Sequence, residues 1–170
     1  MDLFLEHIIK RKRGVKENII TLAVVLSVPS LVYLSISLLV TPLAPLTIFV
    51  IALILFLAYF IISRLNVEFE YIITNNELDI DRIVAKKTRK RLLTINLRKL
   101  DFVAPATTST HISELSKNAT NSIYADSGIA ENAYFLNFEK DGQTYRVFLS
   151  PTPKMVETMK IFAPGKVFEE

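Results

Sequence analysis

The sequence predicts an α+β membrane protein: a two-helix transmembrane hairpin, then about seven β runs compatible with antiparallel pairing, then a C-terminal amphipathic helix. Three observations predict it. No Asp, Glu, Lys, Arg or His occurs between Ile19 and Ser63. From Val67 onward apolar residues recur at every second position, and near the C-terminus the spacing returns to helical. The chain has 170 residues, 51% hydrophobic and 22% charged, so its apolar excess is concentrated in one stretch.

Residues 1–18 form a basic segment ahead of the hairpin. Within it Leu3, Phe4 and Ile8, with Leu5, fit one face of a short helix, lying on the membrane surface or packed on the β domain. The uncharged stretch 19–63 is about twice the ~20 residues that one helical crossing needs. Two prolines in Thr41-Pro42-Leu43-Ala44-Pro45 break it, which predicts helices at about 19–40 and 45–62. A cleaved signal peptide is the competing reading. The first run exceeds the usual apolar core of ~7–15 residues, however, and a second follows at once.

Positive charge sets the orientation. Lys10, Arg11, Lys12, Arg13 and Lys16 precede the first helix, Arg64 follows the second, and the connecting turn has none. Both termini are therefore expected in the cytoplasm, on a multi-pass protein of the cell membrane. Ala23, Ser27, Ser30 and Ser37 fall near one face of the first helix and are expected to let the second approach closely. Pro29 is expected to bend that helix, with nearby Ser hydroxyls serving the carbonyl that loses its partner. With no ionisable group in the hairpin, it makes a poor ion path by itself.

The β domain is expected over 67–170. Val67, Phe69, Tyr71 and Ile73 alternate with Glu68 and Glu70, Asn75-Asn76 suits a tight turn, and Leu78, Ile80 and Val84 return against Asp79 and Asp81. Further runs fall at 91–97, 100–104, 122–125, 133–139 and 143–149, the last two joined by Lys140-Asp141-Gly142. The connections are mostly short, which suits antiparallel pairing. Pro151-Thr152-Pro153 supplies a break, a helix cap and a first-turn proline. Met155, Val156, Met159 and Phe162 then make an apolar stripe over a helix at about 153–163.

This outline resembles the pleckstrin-homology (PH) superfold, a bent antiparallel barrel closed at one end by its C-terminal helix. Residues 45–105 are similar to bacterial PH-like membrane proteins, in which a helix pair precedes a strand, a Thr-Asn turn and a second strand. Tyr71-Ile72-Ile73-Thr74-Asn75-Asn76-Glu77-Leu78-Asp79-Ile80 and Ile95-Asn96-Leu97-Arg98-Lys99-Leu100-Asp101-Phe102-Val103 carry the resemblance. A glycine commonly follows the second strand in that group, where this chain has Arg82-Ile83-Val84-Ala85. An uncharacterised clostridial membrane protein family has a similar basic segment, hairpin and β domain.

The leading candidate site is the basic run Lys86, Lys87, Arg89, Lys90 and Arg91, read as a loop. A strand of eight residues leaving the membrane near Val67, and about as many returning at ~3.3 Å each, bring that loop back to its starting height. There an anionic inner leaflet attracts each Lys or Arg by ~1 kcal/mol over a Debye length of ~8 Å. With Lys10, Arg11, Lys12, Arg13 and Lys16 the run forms a cationic collar. Its roles are to orient the domain, recruit anionic lipid or satisfy topology; most basic runs are only solvated faces.

The polar stretch 105–132, with Thr107-Thr108-Ser109-Thr110 and a short helix expected near 112–117, is the second candidate. Asn118-Ala119-Thr120 matches a glycosylation acceptor, which the cytoplasmic assignment makes incidental. Catalysis is not expected. The glycines are isolated, His7 and His111 lack neighbours at metal-ligand spacing, Cys is absent, and Asp79 and Asp81 read as ordinary exposed acids. No cofactor or metal is expected. The expected function is a non-enzymatic binding or scaffolding module whose partners are anionic lipid, a membrane protein or a second copy, not nucleic acid. The alternative is a small accessory subunit of a membrane transporter or envelope complex.

Overall fold

The computed structural model describes residues 3–107, 113–114, 119–128 and 133–168. The chain divides into two compact units, residues 13–66 and residues 1–12 with 67–170.

In the first unit α1 (Val15–Ile36) runs into a 3₁₀ turn, Ser37–Val40, and α2 (Thr47–Arg64) follows a second, Ala44–Leu46. Both helices are long and apolar enough to cross a membrane, and only 6% of each apolar window is buried. Neither is therefore buried as a core helix within this single chain. The seam between them runs along Val24, Val28, Val32 and Ser35 on α1 and Thr47, Ile51, Ile54 and Ala58 on α2, spaced three and four residues apart. The expected packing residues Ala23, Ser27, Ser30 and Ser37 are instead exposed. Their row lies about 140° around the helix from the seam at ~100° per residue, and β-branched Val together with Ser35 fills the contact. Around Pro29 the hydroxyls of Ser27 and Ser30 donate to the carbonyls of Val24 and Leu26, flanking the carbonyl of Val25 that lost its donor.

The second unit holds two four-stranded sheets, neither closed into the expected seven-stranded barrel. Sheet one is the antiparallel meander β1 (Phe4–Lys10), β2 (Val67–Thr74), β3 (Glu77–Val84) and β4 (Thr88–Asn96). Sheet two has the order β5 (Leu100–Pro105), β7 (Tyr134–Lys140), β8 (Gln143–Leu149), β6 (Asn121–Tyr124). Between β4 and β5 the 3₁₀ turn Leu97–Lys99 carries the chain from one sheet to the other, so these consecutive strands do not pair and the cylinder stays open. All seven expected runs are strands. Their pairing departs from expectation once, where β6 runs parallel to β8.

The eighth strand is β1, which falls where a short amphipathic helix was expected. Leu5, His7 and Ile9 turn toward the core and Phe4, Glu6, Ile8 and Lys10 away from it. Seven residues are too few for periodicity to separate helix from strand, and the free edge of β2 decides the matter. Phe69, Tyr71, Ile73, Leu78 and Ile80 of sheet one meet Leu136, Phe138, Val147 and Leu149 of sheet two in a single core. It is completed by Met155, Val156 and Met159 of α3 (Pro153–Phe162), whose Thr152 cap accepts the Met155 N–H at 3.3 Å.

Candidate functional site

The face of sheet one opposite the core has its chemistry set by register. Pairing places Glu6, Ile8 and Lys10 of β1 beside Ile72, Glu70 and Glu68 of β2, and these beside Asp79, Asp81 and Ile83 of β3. Five carboxylates thus share one surface. On β4 a bulge changes the register: Ile80 faces Leu93, but Asp81 faces Arg91 and Ile83 faces Arg89. Without that extra residue Arg91 would oppose Arg82, and both arginines would turn to the other side of the sheet.

The bulge therefore brings cations onto carboxylates. Arg91 donates through Nε to Asp81 at 2.8 Å and through Nη1 reaches Asp79 at 2.9 Å. Arg89 donates through Nη2 to Glu70 Oε1 at 2.7 Å. The Glu70 side chain is 1% exposed while that of Arg89 is 55% exposed, so the pair has a buried acid and a solvated base. Glu70 Oε2 is buried without a hydrogen-bond donor, and the Glu6 carboxyl is its diagonal neighbour across the strands. Burial pushes the Glu70 carboxyl above the usual carboxylate range; Arg89 opposes that rise, and Glu6 and Asp81 reinforce it.

The remaining basic residues are placed differently. Lys86 and Lys87 sit in the β3–β4 turn at the sheet end where Val84 pairs with Val67, the residue at which the chain enters this unit from α2. The turn and Val67 thus lie at the same end of sheet one. Lys90 lies opposite Arg82, and among the described residues Lys86, Lys87 and Lys90 have no carboxylate within ion-pair distance. The run is not one loop, because Arg89, Lys90 and Arg91 belong to β4.

Lys10 ends β1 opposite Glu68, and the backbone N–H groups of Arg11 and Lys12 donate to the carbonyls of Val67 and Ser127 at 3.0 and 2.7 Å. Those three residues therefore lie at the same end of sheet one as the turn. In the other unit Arg13 donates to Asn66 Oδ1 at 2.7 Å, and Lys16 is exposed in the first turn of α1.

Sequence reasoning missed Glu70 as a buried acid and read Asp79 and Asp81 as ordinary exposed acids, whereas Asp81 is buried and both pair with Arg91. Alternating acids on β3 followed, across a short turn, by alternating arginines on β4 are a signal of cross-strand pairing, although the bulge itself leaves none. In the second candidate stretch, Thr108, Ser109, Thr110, His111 and Asn118 and most of the helix expected near 112–117 lie outside the described residues. The described part is tied down where Arg146 Nη2 donates to the Glu114 carbonyl at 2.8 Å. A separate open cleft of about 320 Å³ lies at the other end of sheet one, between Asn96, Lys99, Phe138 and Lys140.

No curated protein and no solved structure matches the chain. A family model for a bacterial PH-like domain matches residues 1–169, which takes in β1, both apolar helices, the two sheets and α3. The chain belongs to that family of bacterial PH-like domains, DUF6106.

Proposed function

We propose that the protein is a non-enzymatic, membrane-anchored PH-like module that holds its β unit at the cytoplasmic leaflet and contacts anionic lipid there. The observation that carries the reading is the pairing of Val67 with Val84, which puts Lys86 and Lys87 at the sheet end through which the chain passes to the apolar helices. Lys10, Arg11 and Lys12 lie at that same end. Since the hairpin supplies attachment, the cations orient the unit and select anionic headgroups, each contributing ~1 kcal/mol close to the surface. Positive charge on both flanks of the hairpin supports cytoplasmic termini.

The test is the full chain in mixed phosphatidylglycerol and phosphatidylcholine vesicles, with spin-labelled versions of each lipid reporting their relative association. Phosphatidylglycerol is expected to be preferred. Added salt is expected to weaken the preference, and joint replacement of Lys86, Lys87 and Lys90 by Gln to lower it severalfold. A preference that is absent or indifferent to salt overturns the reading.

A second reading has its own observation. Ala23, Ser27, Ser30 and Ser37 form a small-residue row left exposed in the single chain, which suits close approach of a helix from a membrane complex. In that reading the protein is an accessory subunit and the helix pair makes the decisive contacts.

A further inference from the structure

We infer that Glu70 is a proton-operated clamp on Arg89: its carboxylate holds the guanidinium against the sheet, and its neutral form frees Arg89 to join the cationic surface that meets anionic lipid. This deepens the lipid-contact reading proposed above and rests on it. The geometry supplies each part. Arg89 is the second residue of β4 after the β3–β4 turn, its side chain is more than half exposed, and its bond to Glu70 Oε1 at 2.7 Å is its ion pair among the described residues. Glu70 is closed off from solvent and has one oxygen with no donor.

Every charged neighbour on that face bears on the proton. From β1 come Glu6, diagonal to Glu70, and Lys10, opposite Glu68; from β2 comes Glu68 itself; from β3 Asp79 and Asp81; from β4 Arg89 and Arg91. Arg91 pairs with both Asp79 and Asp81 but brings one charge against their two, so Asp81 and Glu6 remain the like charges that bear on Glu70, and Arg89 opposes them. The orphaned Oε2 is satisfied once the carboxyl carries a proton that it shares with Glu6, and burial favours that protonated form. The bond to Arg89 favours the opposite form. The two states therefore compete over one oxygen pair, and losing the charge on Glu70 removes the attraction that keeps Arg89 off the lipid.

The experiment measures the phosphatidylglycerol preference of the full chain in the same vesicles from pH 8 downward through the ordinary carboxylate range, near pH ~4. Wild type is expected to gain about fivefold as Arg89 is released, the effect of one further cation at an anionic surface. Glu70→Gln is expected to show the higher preference throughout, and Arg89→Gln the lower, both without the pH step. Glu6→Gln, which takes a repelling carboxylate from an exposed edge strand, keeps the step and moves its midpoint to lower pH; this variant carries the test if Glu70→Gln fails to fold. A salt-sensitive preference that does not change with pH, or a step that persists in Glu70→Gln, overturns the clamp alone. No preference at any pH overturns the lipid reading, and the clamp falls with it.

Discussion

The Tyr71 hydroxyl accepts the backbone N–H of Ser150 at 3.0 Å and donates to the Ala125 carbonyl, so one side chain of β2 closes both a strand end and a loop of the other sheet. Ser150 extends the link, its hydroxyl lying 3.0 Å from that of Ser127, whose carbonyl takes the Lys12 N–H at 2.7 Å. Tyr71→Phe leaves the Ser150 donor and the Ala125 acceptor buried without a partner, which should cost about 1–3 kcal/mol. Chemical denaturation of the β unit in detergent checks this, with a loss below a few tenths of a kcal/mol counting against the bridge.

The same residue predicts an alkaline limit. Burial raises the Tyr71 pKa, so the folded state holds its proton above the pH at which the unfolded chain releases it, near the ordinary value of about 10. Below that pH both states are neutral at this position and its contribution is constant. As pH climbs toward the folded-state value, ionisation favours unfolding and stability falls. Tyr71→Phe should show a shallower decline above pH ~10 than wild type. Identical slopes would be inconsistent with a buried phenol.

The turn at Ala85 and Lys86 uses positive φ at both central residues, 55° each, where glycine is the usual solution. This is where the resemblance to PH-like membrane proteins led one to expect glycine. Side chains there cost about 1–2 kcal/mol each in steric conflict, and the added freedom of an unfolded glycine offsets part of any relief. Ala85→Gly should therefore stabilise the β unit by about 0.5–1 kcal/mol, with charge unchanged. A destabilised variant would mean that the turn has another conformation.

Because β1 precedes the hairpin, a fragment beginning at residue 67 lacks an edge strand and exposes Phe69, Tyr71 and Ile73 beside the missing Leu5, His7 and Ile9. That fragment should aggregate or show fast amide exchange along β2. Joining residues 1–12 to 67–170 by a short linker should restore protection. Equal protection in both would show that β1 contributes little to sheet one.

If the exposed row on α1 meets a partner helix, replacing Ser27, Ser30 and Ser37 by Leu should abolish recovery of that partner by crosslinking in native membranes. Neutralising Lys86, Lys87 and Lys90 should leave the crosslinks intact. The reverse pattern favours the lipid-facing turn over the helix pair.

The sequence by itself determined what local pattern can carry. Length without charge marked both apolar helices, alternation marked seven strands, and Asn75 and Lys140-Asp141-Gly142 marked two turns, since each depends on residues within a few positions of one another. The basic run was visible too, but not its division into arginines paired with acids and lysines that have no ion pair among the described residues. That division depends on one extra residue in β4 and on Glu70, which is nineteen positions from Arg89 in the chain. Likewise β1 became a strand only because β2 offered an edge far away in the chain, Lys10 opposite Glu68 and Phe4 opposite Thr74, and the barrel stayed open because the turn at 97–99 changes sheets. Register, bulges and sheet membership arise from long-range pairing, where many alternatives have similar local energy and only the complete packing selects among them.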